Sequence, residues 1–162
     1  MNIRKAMEED AGAIAKIYNW YVLNTPISFE TEAVSNDKMR RRILEKRLKY
    51  DWLVGEVDHE IVGYANYGAF SDMPVYKHTV QSAIYIPLKN IGKGFGKALY
   101  SNLIDSAKKH GFLEMIMFIA LPNPGNIALH RKLGFKEVGV IRKVGYKFEK
   151  HIDVGIWQLP LS

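Results

Sequence analysis

The clearest chemistry in the chain lies in one short run, Gly92-Lys93-Gly94-Phe95-Gly96-Lys97. Alternating glycines let a backbone turn tightly enough for successive N–H groups to converge on one anion. Lys93 and Lys97 add positive charge. Ala98, Leu99, Leu103, Ile104 and Ala107 fall at helical spacing directly behind the loop, so a helix N-terminus should add its positive pole. A diphosphate is the natural guest, and the alternative is a flexible surface turn. Spacing excludes two other phosphate loops. A Walker loop needs Gly-Lys followed by Ser or Thr, whereas Gly92-Lys93 precedes Gly94 and Gly96-Lys97 precedes Ala98. A dinucleotide fingerprint runs G-x-G-x-x-G, whereas these glycines run G-x-G-x-G.

A loop of this kind must be held between a strand and a helix. Val80–Ile86 is rich in β-branched and aromatic residues and predicts the strand, which Pro87 ends. Lys108-Lys109-His110 followed by Gly111 closes the helix, with cations at the negative pole and glycine past the last turn. Upstream, Ile14, Ile17, Tyr18 and Tyr21 predict an amphipathic helix over 10–23, broken at Thr25-Pro26. Ser35 or Asn36 can cap a second helix with Met39, Ile43 and Leu44 facing inward. The runs 52–57 and 60–64, joined by Asp58-His59, predict a hairpin. Met115–Leu121 is a near-continuous apolar run, as expected of a strand covered on both faces. A short helix near 125–133 ends at Gly134, and strands near 135–144 and 154–159 finish the chain. There is no repeat or linker, so residues 1–162 read as one mixed α/β domain.

Composition narrows the class of function. Hydrophobic residues make up 48% and charged residues 25% of 162, ordinary for a globular protein. The absence of cysteine removes disulfides, thiolate metal sites and cysteine nucleophiles, and it suits a reducing cytoplasm. The five histidines show no ligand spacing, so no metal is expected. Met1-Asn2-Ile3-Arg4-Lys5 opens no signal-peptide apolar region, and no apolar run approaches the roughly 18 residues of a membrane span. Of the net charge of +6, much sits in Lys38, Arg40, Arg41, Arg42, Lys46, Arg47 and Lys49. That block reads as a solvated helix face. A nucleic-acid surface is the weaker reading, because no aromatic platform accompanies the charge.

Three segments carry a resemblance. Val80-Gln81-Ser82-Ala83-Ile84-Tyr85-Ile86, the glycine loop, and the run from Asn123-Pro124 through His130-Arg131-Lys132-Leu133-Gly134-Phe135 are similar in order and spacing to GCN5-related (GNAT) N-acetyltransferases. Ser28-Phe29-Glu30-Thr31-Glu32 and the tail Arg142-Lys143-Val144-Gly145-Tyr146-Lys147 with Asp153 and Trp157-Gln158 resemble the phosphinothricin and methionine-sulfoximine acetyltransferase branch. The resemblance implies a single-domain α/β acetyltransferase fold with a mixed, mostly antiparallel sheet flanked by helices. It implies acetyl-CoA as co-substrate, a small amino-acid-like amine as acceptor, and a homodimer. The strand matching Ile84, Tyr85 and Ile86 would pair with the pantetheine amides as a sheet edge pairs with another strand. Gly92, Lys93, Gly94, Phe95, Gly96 and Lys97 would hold the pyrophosphate, and Asn123 would also contact the co-substrate. From the residues alone, Asn123 beside Pro124 reads as a helix cap.

The same resemblance assigns a general base to the position of Gln81. Acetyl transfer needs a neutral amine, and a neutral side-chain amide cannot accept a proton as a carboxylate does. Glu30, Glu32 or His78 could supply the base, or a low-pKa acceptor could need none. His130 stands where the superfamily often has a tyrosine acid, and it is the first choice to protonate the thiolate or contact the co-substrate. Phe29, Glu30 and Tyr76 are the expected acceptor-pocket residues. The basic residues that the branch carries before Pro74 are here Ser71 and Met73, with acidic Asp72 between them. Lys77, Arg142 and Lys147 remain as cations that the fold could turn inward. Gln81 also supports a second reading, a catalytically weak acyl-CoA sensor on the same fold.

Overall fold

In the computed structural model, which describes residues 1–162, the chain runs β1 (Asn2–Lys5), α1 (Ala11–Asn24), α2 (Asn36–Lys46), β2 (Trp52–Val57), β3 (Glu60–Ala69), β4 (Thr79–Tyr85), α3 (Phe95–Lys109), β5 (Glu114–Ala120), α4 (Pro124–Lys132), β6 (Lys136–Lys147) and β7 (Lys150–Pro160). The strands form one sheet in the order β1-β2-β3-β4-β5-β7-β6. Every neighbouring pair is antiparallel except β4 and β5. Their parallel pairing holds for three rungs only: Thr79↔Glu114, Val80↔Met115 and Gln81↔Ile116. Beyond these, β4 stays paired to β3 through Tyr85 and β5 to β7 through Ala120. The sheet is therefore intact on both sides and open in the middle.

Alternation along the strands explains the two cores. Successive side chains point to opposite faces, so each strand serves both. On one face Leu99, Tyr100 and Leu103 of α3 pack with Val80, Met115 and Trp157. On the other, Ile14 and Ile17 of α1 and Met39 and Ile43 of α2 pack with Trp52, Val54 and Tyr64. Each fully buried aliphatic side chain contributes about 1.5–3 kcal/mol relative to exposure. The helix ends follow local chemistry. Ser35 caps α2 by accepting from the Lys38 N–H at 3.1 Å, a contact worth about 1 kcal/mol. Gly111 follows α3 at φ +81°, a conformation that strains other residues.

Four strands depart from the sequence reading, among them β3, which runs to Ala69 instead of ending near 64. β1 is a short edge strand pinned beside β2, where Arg4 bridges Asp10 at 2.7 Å and Glu56 at 2.8 Å. β6 and β7 are longer than expected because their turn falls at Phe148 and Glu149, both at positive φ. Neither residue is a turn-former, so the sequence carried no signal there.

Candidate active site

The gap beyond Gln81 and Ile116 opens into a groove of about 550 Å³. One wall is the free edge of β4 at Ile84 and Tyr85, continuing to Ile86. Gly92, Gly94, Gly96 and Lys97 form its end, and Asn123, Asn126 and Lys132 close the α4 side. Lys93 and Phe95 do not line it; Lys93 turns its amine 3.5 Å from the buried Asn90 amide oxygen. Trp20, Tyr21 and Lys132 belong to the groove although the sequence singled out none of them for it. Only their neighbours in space bring them there.

The glycine loop presents bare donors. No backbone acceptor within the chain takes the N–H groups of Gly92 through Lys97; the first amide engaged is that of Ala98, which donates to the Gly94 carbonyl at 3.2 Å. Gly92 and Gly94 sit at φ +83° and +81°, and a Cβ at either would meet nothing within 4 Å. Conformation, not crowding, demands glycine there. A row of unshared donors at the positive pole of a 15-residue helix, with Lys97 beside it, is built to hold an anion. Asn123 does two things at once. Its side-chain oxygen accepts from the Asn126 N–H at 3.3 Å as the α4 cap, and the residue also walls the groove.

A second cavity of about 390 Å³ lies on the α1/α2 side of the sheet, lined by Phe29, Gln81, Phe118, Val154 and Lys147 among others. Two segments serve both spaces. β4 gives Gln81 to this cavity and Ile84 and Tyr85 to the groove. The loop after α1 gives Thr25 and Ile27 to the groove, and Pro26, Ser28 and Phe29 to the cavity. Of the three spare cations, Lys147 alone turns in. It is 7% exposed, and its amine donates to the Ser28 carbonyl at 2.8 Å. Burial pushes that ammonium below the usual lysine range, against the opposing pull of Glu30. Lys77 stays exposed, and Arg142 lies on the surface 3.5 Å from Asp153.

Three expected site residues stand apart from these spaces. Glu30 lines neither cavity, because its carboxylate is taken in a two-pronged ion pair by Arg42. Burial alone would push the Glu30 carboxyl up. The guanidinium of Arg42 and the hydroxyl of Tyr18 outweigh it and hold the group below the usual range. His130 is fully buried, so it meets no ligand in either space. Its Nδ1 lies 2.8 Å from the Asn126 carbonyl and must donate; Nε2 then accepts from the Tyr100 hydroxyl at 3.2 Å. Burial pushes the ring down, keeping it neutral. His130 thus links α4 to α3, and its ring does not line the groove. Tyr76 is exposed and lines a separate cavity of about 160 Å³ with Ser71, Asp72 and Met73. Its ring meets Phe70 edge-on, and Phe70 stacks on Phe118 of the second cavity. No three His, Asp or Glu side chains converge as a metal site, and no helix is long and apolar enough to cross a membrane.

The chain is similar to known proteins over its whole length. Residues 3–156 match the family model described as an acetyltransferase (GNAT) domain. The chain is 36% identical to the L-methionine sulfoximine/L-methionine sulfone acetyltransferase of Salmonella typhimurium, covering 100% of this chain and 95% of that protein. It is 32% identical to a phosphinothricin N-acetyltransferase of Streptomyces viridochromogenes, covering 98% and 86%. Among solved structures, an acetyltransferase from Salmonella typhimurium with acetyl-CoA superposes with a TM-score of 0.98 at 34% identity, covering 100% of this chain and 94% of that one.

Proposed function

The chain belongs to the GNAT acetyltransferase family and is an acetyl-CoA-dependent N-acetyltransferase; from that premise we propose that it acetylates the α-amino group of an amino-acid-like acceptor held in the 390 Å³ cavity. The observation that carries this reading is the double use of β4, whose Gln81 faces the cavity while Ile84 and Tyr85 edge the groove. Acetyl-CoA supplies an acetyl group activated as a thioester. The free amides of Gly92–Lys97 hold its diphosphate, Lys97 and Lys132 add charge, and the open edge of β4 pairs with its amide-rich arm. Phe29 and Phe118 shape the acceptor cavity and exclude water.

Gln81 orients the acceptor amine without deprotonating it. An aliphatic amine with a pKa near ~10 is almost wholly protonated at neutral pH, so the proton must be lost to solvent or made weaker by the site. The Lys147 cation in the same cavity disfavours a second cation and acts in that direction. The test is thiol release from acetyl-CoA with a panel of amino acids and amines, read together with the mass of the product. Binding of acetyl-CoA without thiol release from any acceptor would favour the second reading that Gln81 motivates, an acyl-CoA sensor.

The reading includes a cytoplasmic homodimer. The cysteine-free composition supports the compartment. The edge strand β6 supports the dimer, since Val138 and Val140, which lie outside the acceptor cavity, are exposed along it, a surface that a second copy would cover. Sedimentation velocity at micromolar concentration tests it; a monomer at every concentration removes the dimer from the account.

A further inference from the structure

We propose that Lys147 is the carboxylate anchor of the acceptor cavity, binding the acid group of the amino acid whose amine lies at Gln81. The inference rests on the amino-acid reading above and adds the residue that makes it selective. An ammonium group has three donors, and the Ser28 carbonyl takes one of them. Lys147 pairs with no carboxylate, since the charge of Glu30 is held by Arg42. A cation that is 7% exposed and touches no carboxylate, with only the more distant charge of Glu30 to offset it, is costly unless something anionic completes it. The rest of the wall offers nothing of that kind: Phe118, Ile141, Val144, Ile152 and Val154 are apolar. The cavity therefore holds one cation and no anion in a mostly apolar lining, with Gln81, Ser28 and Tyr146 as its other polar residues. Its chemical complement is a ligand with one anionic group and an apolar remainder.

The amine of an α-amino acid is one carbon from its carboxylate. Fixing that carboxylate at Lys147 therefore restricts where the amine can lie, and Gln81 opens on the same cavity. The competing role for Lys147 is structural, a tie between β6 and the loop at Ser28. The two roles differ in what they predict for an acceptor without a carboxylate.

The test compares L-methionine with its decarboxylated amine, 3-(methylthio)propylamine, in the wild-type enzyme and in Lys147→Arg, Lys147→Gln and Lys147→Met. Glutamine can still donate to the Ser28 carbonyl but carries no charge. The expected result is that the wild-type kcat/KM favours methionine, and that Gln and Met reduce this preference about 10- to 100-fold through KM, with Arg intermediate. Calorimetry with acetyl-CoA identifies any variant that fails to fold; if Met is lost in this way, Gln and Arg carry the comparison. An unchanged preference in Lys147→Gln, or no preference in the wild type, overturns the proposal. Wild-type enzyme that binds acetyl-CoA but acetylates neither compound overturns the amino-acid reading itself, and this anchor with it.

Discussion

Gln81 and Ile116 form the last rung between β4 and β5, and past them neither strand has the other as partner. The residue at the mouth of the split is thus a neutral amide, on the strand that also edges the groove. In the proposed reaction the site delivers a deprotonated amine without a carboxylate at that point.

Replacing Gln81 with Glu should raise the rate at neutral pH if amine deprotonation limits it. A positioned base is worth roughly 100- to 10,000-fold, so even a poorly aligned carboxylate should register. The pH–rate profile is the readout. Identical profiles for Gln81→Glu, Gln81→Ala and wild type would show that amine deprotonation at this position does not limit the rate.

Gly94→Val should weaken acetyl-CoA binding tenfold or more. At φ +81° a non-glycine residue costs about 1–2 kcal/mol, and a β-branched one more, so the loop must move or strain. Each 1.4 kcal/mol is about tenfold in affinity. Calorimetric titration gives the number directly, and wild-type affinity in the variant would show that the loop's conformation is immaterial.

His130 should leave a signature in stability, not in catalysis. Its folded pKa lies below the ordinary value near ~6.5, so the unfolded chain takes up the proton first as the pH falls. Stability therefore declines from about pH 6.5 downward and levels off only beneath the folded pKa. In His130→Phe that part of the acid slope should vanish, although the variant loses the hydrogen bond from Tyr100 and starts less stable. Thermal melts at about pH 8, 6.5 and 5 read this, and equal slopes in both proteins would contradict it.

Much of this arrangement could be read before the fold was known. The glycine loop, the caps at Ser35 and Asn123 and the strand at 80–86 all announce themselves through spacing and residue type. What stayed hidden depends on contacts between residues far apart in the chain. Nothing near Glu30 in sequence says that Arg42 will take its carboxylate, and nothing near Lys147 says that it will meet Ser28 across 119 positions. The burial of His130 was hidden for the same reason: nothing beside it in sequence says that Tyr100 will meet its ring.

Phosphinothricin should be a poor acceptor. It carries a phosphinate and a carboxylate, whereas the cavity offers one inward cation, and Ser71, Asp72 and Met73 face a different hollow. One missing charge-assisted contact costs about 1.5–3 kcal/mol, or roughly 10- to 100-fold in kcat/KM. Kinetics against methionine sulfone and methionine sulfoximine at saturating acetyl-CoA decide it. If phosphinothricin were the best of the three, the one-cation description of the cavity would be wrong.

The central claim is acetyl transfer to the amine of an amino-acid-like acceptor, and one measurement tests it most directly. Purified protein is incubated with acetyl-CoA and a panel of L-amino acids, amino-acid analogues and simple amines, with free thiol and product mass followed together. The account predicts thiol release matched one-for-one by an N-acetylated α-amino product, fastest for a monoanionic acceptor with an apolar side chain. Thiol release with no acceptor acetylated, or acetylation confined to amines that lack a carboxylate, would contradict it.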